Sequence, residues 1–205
     1  FLQTLEDRDW IGGISEAFKV AMIRDLDFFE FLYESADALR TRNASPMEYL
    51  VRRCAELHLE HIRTNGDPFE FGTARPLDFG HWAAHRLEHL SAYRLGHGQA
   101  VSIGIALDTC YAADREFISA KDRDRVLNGL LRCGLPVWDH VLEYTEDNSL
   151  AVFKGLDEFR EHLGGKLTVT LPSPLGSKAE IHAMDRDLIR KNIAFLRKQQ
   201  HENPR

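Results

Sequence analysis

Ten of the 205 residues are histidines, and four of them, His81, His85, His89 and His97, fall within a stretch of 17. On a helix turning 100° per residue, His81, His85, Glu88 and His89 point to one side. Two imidazoles four residues apart on one face can grip a single divalent ion. His97, flanked by Gly96 and Gly98 at a predicted helix start, offers a third. A solvated face of His and Glu is the alternative, and spacing alone leaves both open. His89, furthest along the face, reads as surface. His58 and His61 lie on the preceding helix and carry a weaker signal; His140, His162, His182 and His201 carry none. Glu16 stands out because GISEAFKVAM is otherwise mostly apolar or small. It lies one turn from Lys19, so the two share a face and read as a helical ion pair or as part of a polar site. Only a fold can bring Glu16 to His81.

The elements that must position these residues are mostly helical. Apolar residues recur at three- and four-residue steps from Trp10 to about Ala38, as one long helix or two joined near Asp25. Ser45, Pro46 and Glu48 read as N-cap, first helical residue and capping-box partner of a helix running to about Arg63. Residues 65–76, NGDPFEFGTARP, are rich in breakers and read as a loop. Helices are expected over about Phe79–Arg94, through AVSIGIAL (100–107), over Ala120–Arg132, and from near Pro136. Only LTVTLP (167–172) alternates like a strand, with KAEIHAM (178–184) as its hairpin partner. Asp185 should cap a last helix to about Lys198. The expected core comprises Phe18, Met22, Phe28, Leu32, Leu50, Leu57, Leu87, Ile103, Ile105, Leu107, Leu130 and Leu131, with Phe79 beneath the start of the His81 helix. The fold class is therefore mostly α, in one domain over 1–205, with a small β-hairpin near the C-terminal end.

Composition narrows the function. Apolar residues make up 43% and charged residues 28%, with a net charge of −6. That balance fits a soluble domain and argues against a nucleic-acid partner, which needs a basic face. No apolar run is long enough to span a bilayer, so no membrane partner is expected. Three scattered cysteines, Cys54, Cys110 and Cys133, match no zinc-ligand spacing and suit a reducing, cytoplasmic setting. The start, FLQTLEDRDW, has neither a basic leader nor an initiator Met, so the chain is expected to begin inside a longer protein. There is no GxGxxG and no P-loop, hence no phosphate-cradling fingerprint.

Two segments together resemble the dehydroquinate-synthase-like sugar phosphate cyclases. RPLDFGHWAAHRLEHLSAYRLGHGQAVSIGIAL (75–107) is similar to the family's N-F-G-H-x-x-G-H-A-x-E followed by H-G-E-A-V. LQTLEDRDWIGGISEAFKVAMIRDLDFFEFLYE (2–34) is similar to its T-L, G-x-A-E-V-I-K and F-F segment. LTVTLP matches a segment near the family's C-terminus. The resemblance implies a helical C-terminal domain, with a nucleotide-binding N-terminal half absent from this chain. It implies zinc, or another divalent metal, on Glu16, His81 and His97, and NAD held mainly by the missing half. His85 then corresponds to a substrate-contacting histidine that moves a proton, and Lys19 to a substrate-binding lysine. Arg75, Asp78 and His58 fall at substrate-binding positions. The implied reaction cyclises a sugar phosphate to a carbocycle, with hydride transfer to and from NAD and elimination of phosphate. The family also implies a homodimer. The isolated domain is expected to be inactive.

This sequence departs from the pattern in its substrate-facing positions. Asp78 replaces an Asn, His58 a Lys, and Gln99 a Glu whose carboxylate would neighbour His97. Ala84 and Arg86 replace a Gly and an Ala. An intact metal triad inside an altered shell points to a divergent branch with its own substrate, similar to the dehydroquinate-synthase-like members of Ebo-type operons. Two other readings stay open. One is a metal- and NAD-dependent polyol dehydrogenase; the other is a non-catalytic domain kept for interaction.

Overall fold

A computed structural model describes residues 1–65, 78–162 and 164–202, apart from the side chains of Asn65 and His162. Helix α1 (Asp7–Arg24) buries Trp10, Ile14, Ala17, Phe18, Ala21 and Met22. That three-and-four-residue stripe faces the core, which leaves Glu16 and Lys19 beside it. The chain turns at Asp25, whose carboxylate accepts the Phe28 N–H at 3.0 Å and so caps α2 (Leu26–Glu34). A short α3 (Ala36–Arg40) follows, and the Trp10 indole donates to Leu39 O at 2.7 Å, tying α1 to it. Helix α4 spans Ala44–Asn65. It starts earlier than Ser45 would suggest, because Asn43 Oδ1 takes the Ser45 N–H at 3.1 Å and acts as the cap.

The centre of the fold is α6 (His97–Asp114), buried on all sides from Ala100 to Ala112. A helix apolar all round has to be enclosed, and α6 packs against α1, α5 (His81–Leu90), α7 (Ala120–Arg132) and α9 (Arg186–Glu202). Helix α5 is shorter than the expected Phe79–Arg94. Gly80 holds a left-handed backbone at its start, and Ala92 and Tyr93 both adopt positive φ after its end. No helix starts at Pro136. There, His140–Glu143 form a 3₁₀ turn, and a two-residue hairpin, β1 (Thr145–Glu146) with β2 (Ser149–Leu150), turns on Asp147 and Asn148 at positive φ. Helix α8 (Lys154–His162) follows.

The second hairpin, β3 (Val169–Pro172) with β4 (Lys178–Ile181), is antiparallel and pairs Val169 with Ile181. Asp185 caps α9 as expected, accepting from Asp187 N and Leu188 N at 2.8 and 3.2 Å. The core follows the sequence expectation, Phe79 included, except that Leu131 is only partly buried. Cys54, Cys110 and Cys133 carry no disulfide. Among the described residues, no helix is long and apolar enough to cross a membrane.

Candidate metal and substrate site

Two glycine crossings bring α1, α5 and α6 close enough for their polar residues to meet. A Cβ on Gly98 would lie 2.3 Å from Gly12 Cα, so α1 and α6 touch through bare backbone. A Cβ on Gly104 would lie 2.0 Å from Gly80 O, so the start of α5 rests directly on α6. These contacts put Glu16, in the middle of α1, against the first residue of α5 and the first residue of α6.

Glu16 Oε1 lies 3.2 Å from His97 Nε2 and 3.9 Å from His81 Nε2. The nearest donor atoms of the three side chains all fall within 4.8 Å of one another. The tautomers follow from the neighbours. His81 Nδ1 faces Phe79 O at 3.1 Å, and His97 Nδ1 faces Glu88 Oε2 at 3.1 Å. Both partners only accept, so each Nδ1 carries a hydrogen and each Nε2 is the ring atom that faces Glu16, ready to act as a ligand once it holds no proton of its own. Glu16 Oε1 is buried with no hydrogen-bond partner. Two imidazole nitrogens and a buried carboxylate oxygen drawn together around one point are a poor polar core and a good cation site. Two imidazoles and a carboxylate suit zinc and several other divalent ions, leaving a fourth position for a water or a substrate oxygen.

Electrostatics agree. Burial pushes the Glu16 carboxyl up, but the His97 ring and the Lys19 ammonium outweigh it and hold the group down at about 2. Lys19 is itself buried, with Nζ 2.5 Å from Glu16 Oε2. Burial, with Lys19 nearby, lowers His81 to about 4, which keeps it neutral and ligand-ready. Glu16, then Glu88, raise His97 to about 9 against its burial. A proton on His97 and a divalent ion are thus competing answers to the same negative charge.

The remaining expected residues divide. His85 lies on the exposed side of α5, its ring 5.4 Å from that of His81 and its Nδ1 3.4 Å from Glu88 Oε2. Asp78, half-buried, joins His81, Trp82, His85, Glu158 and Phe159 around a cavity of about 380 Å³. His58 is exposed on α4, four residues after Cys54. Burial, then the Glu16 carboxylate, push the Cys54 thiol up to about 11. Arg75 lies outside the described residues. His89 is exposed against Tyr93.

One expectation is corrected. The loss of a carboxylate at Gln99 does not strip His97 of a partner. Gln99 Oε1 instead accepts the Gly96 N–H at 3.0 Å and caps α6, while Glu88 supplies the carboxylate that orients His97. Glu88 was visible on the histidine face of α5. The cavity wall from α8 was not, because nothing in its spacing ties Glu158 and Phe159 to His81. The signal that could have placed it is the Asp-Asn pair at 147–148, a hairpin turn that brings the chain back.

The 3-dehydroquinate synthase C-terminal family model matches residues 13–155. A 2-epi-5-epi-valiolone synthase from Actinomyces sp is 30% identical over 190 residues, covering 89% of this chain and 48% of that protein. The structure of a 2-epi-5-epi-valiolone synthase from Streptomyces hygroscopicus subsp. jinggangensis, with NAD+ and Zn2+ bound, superimposes with a TM-score of 0.87 at 26% identity, over 97% of this chain and 54% of that one. A 2-deoxy-scyllo-inosose synthase, complexed with carbaglucose-6-phosphate, NAD+ and Co2+, shares the fold at 17% identity, with a TM-score of 0.70 over 95% of this chain and 53% of that one. The chain spans about half the length of the relatives it matches. With the histidine and Glu16 elements both inside the matched span, the chain belongs to the 3-dehydroquinate synthase C-terminal family.

Proposed function

We propose that this chain is the metal-binding half of a sugar phosphate cyclase, acting with a nucleotide-binding half that holds NAD. The observation that carries the reading is the convergence of His81 Nε2, His97 Nε2 and the orphaned Glu16 Oε1. The metal-bound and NAD-bound valiolone synthase of the same fold supports it. Glu16, His81 and His97 would hold the ion, which when bound would lower the pKa of substrate hydroxyls it touches. NAD supplies a reversible hydride acceptor. The chain's own residues bind and move protons. Lys19 holds Glu16 ionised and in place. His85, at the cavity mouth with Glu88 behind its Nδ1, can take or give a proton at Nε2. Trp82 and Phe159 exclude water from one side of the cavity.

The cavity suits a hydroxyl-rich body. Asp78 and Glu158 line it, with Arg86 3.5 Å from Glu158, and carboxylates accept hydroxyl hydrogens. The substrate is therefore a sugar phosphate whose ring-forming part carries hydroxyls. Loss of phosphate by elimination, a homodimeric assembly and a cytoplasmic setting belong to the same proposal.

The test supplies the protein carrying this chain with NAD, zinc and a panel of sugar phosphates. Release of inorganic phosphate without accumulation of NADH is expected, because the hydride returns to the product. NADH building up without phosphate release would identify a polyol dehydrogenase instead. Neither signal, in a protein that binds NAD and zinc, would overturn catalysis. The 205-residue chain alone is expected to turn over none of the panel.

A further inference from the structure

Asp108 is fully buried in the middle of α6, eleven residues after His97, among apolar neighbours. Its two oxygens take two donors that flank His81. Oδ2 accepts the Gly80 N–H at 2.9 Å, and Oδ1 accepts the Trp82 indole N–H at 2.8 Å. The reason for this arrangement lies at the glycine crossing. A Cβ on Gly80 would meet Ile105 N at 2.8 Å, and the residue holds φ +77. The N-cap position of α5 is thereby restricted to glycine, which has no side chain with which to cap its own helix. Helix α6 instead supplies from below an acceptor for the N–H of Gly80 itself, one of the donors that a helix start leaves without an intrahelical partner. An acidic group is also well placed there, because the start of a helix carries positive charge.

We propose that Asp108 is a positioning residue for the metal site, fixing ligand His81 through the backbone before it and the indole after it. Because α6 also begins with His97, one rigid helix then sets both imidazoles. The same carboxylate orients Trp82, which lines the substrate cavity. Residues outside the ligand set that orient ligands commonly change metal affinity by roughly 10- to 100-fold. This inference rests on the metal role proposed for Glu16, His81 and His97.

The test is titration of the metal-stripped chain with Co2+, following its visible absorption, in wild type, Asp108→Asn, Trp82→Phe and Asn192→Ala. The Asn keeps the shape but turns one N–H toward a donor. Trp82→Phe removes a single donor and leaves Asp108 intact, which covers the case in which Asp108→Asn does not fold. Asn192, buried where α9 packs on α6, is the control for a loss of packing alone. Expected is a Co2+ affinity weakened roughly 10- to 100-fold in Asp108→Asn, a smaller weakening in Trp82→Phe, and an altered absorption band in both. Asn192→Ala should melt earlier yet bind Co2+ as wild type does. Wild-type affinity and spectrum in Asp108→Asn would overturn the positioning role. Equal losses in Asn192→Ala would overturn it too, by showing that any softening of the core has this effect. A wild-type chain that binds no Co2+ would instead overturn the metal reading on which it rests.

Discussion

Adding one methyl group at Gly98 should dismantle the metal site without touching a ligand. In Gly98→Ala the new Cβ would sit 2.3 Å from Gly12 Cα and 2.5 Å from Gly12 O. Non-bonded carbons rest at about 3.5–4.0 Å, so α1 and α6 must part by roughly 1.2–1.7 Å. No flexible side chain can absorb this, because both sides of the contact are backbone. Glu16 rides on α1 and His97 on α6, so their 3.2 Å separation opens to roughly 4.4–4.9 Å. Ligand bonds to zinc of about 2.0–2.2 Å allow two donors on one ion to stand at most about 4.4 Å apart, and about 3.4 Å apart at a tetrahedral angle. One ligand is therefore lost, and overpacking costs about 1–3 kcal/mol besides. The neighbouring Gly13 is the control: a Cβ there meets nothing within 4 Å. Gly13→Ala should be neutral, or stabilise α1 by about 0.5–1 kcal/mol. Zinc affinity by competition with a chromophoric chelator, alongside thermal melting, reads both effects. Gly98→Ala folded and binding zinc as tightly as wild type would refute the claim that this crossing sets the ligand distance. Equal losses in Gly13→Ala would refute its specificity.

Replacing Lys19 with Met removes the cation that helps hold the Glu16 carboxyl at about 2. Its pKa should rise, protons should compete better for the site, and zinc should be lost at a higher pH than in wild type; an unchanged acid limit of zinc binding would count against the pair. Burial raises the Asp108 carboxyl to about 7, against its two N–H donors and from an ordinary value of 3.8. The folded chain therefore binds this proton more tightly than the unfolded one, so this group makes stability fall as pH rises from about 4 to about 7, with no further change above. Denaturant unfolding of the ion-free chain across that range should show a component of the slope that Asp108→Asn removes; identical slopes in the two chains would contradict it.

Local chemistry was legible in the sequence and its assembly was not. The face shared by His81, His85 and Glu88 follows from helical spacing, and Asp185 as a cap and LTVTLP as a strand follow from residue type. Spacing could not say that His85 stays exposed while His81 is mostly buried beside Glu16, because that depends on where α1 and α6 lie. The resemblance to the cyclases joined Glu16 to His81 and His97; the physical reason they meet is a pair of glycine contacts, Gly12 with Gly98 and Gly80 with Gly104. In one dimension those glycines look like ordinary interruptions. Asp108 sits inside the apolar run of α6 and has no spacing partner, so its two donors appear only in the fold. The helix expected from Pro136 failed because the local chain spends its hydrogen bonds on a 3₁₀ turn and a short hairpin. Gln99 misled because its amide caps a helix where a carboxylate was expected to orient a ligand.

Metal content tests the site most directly. The purified chain, stripped and reloaded with zinc, is dialysed and measured by elemental analysis beside His81→Ala and His97→Ala. About one zinc per wild-type chain is expected, as for a single site with three protein ligands, with near-complete loss in both variants. Zinc retained in both variants would show that the metal sits elsewhere and would contradict the site assembled from Glu16, His81 and His97.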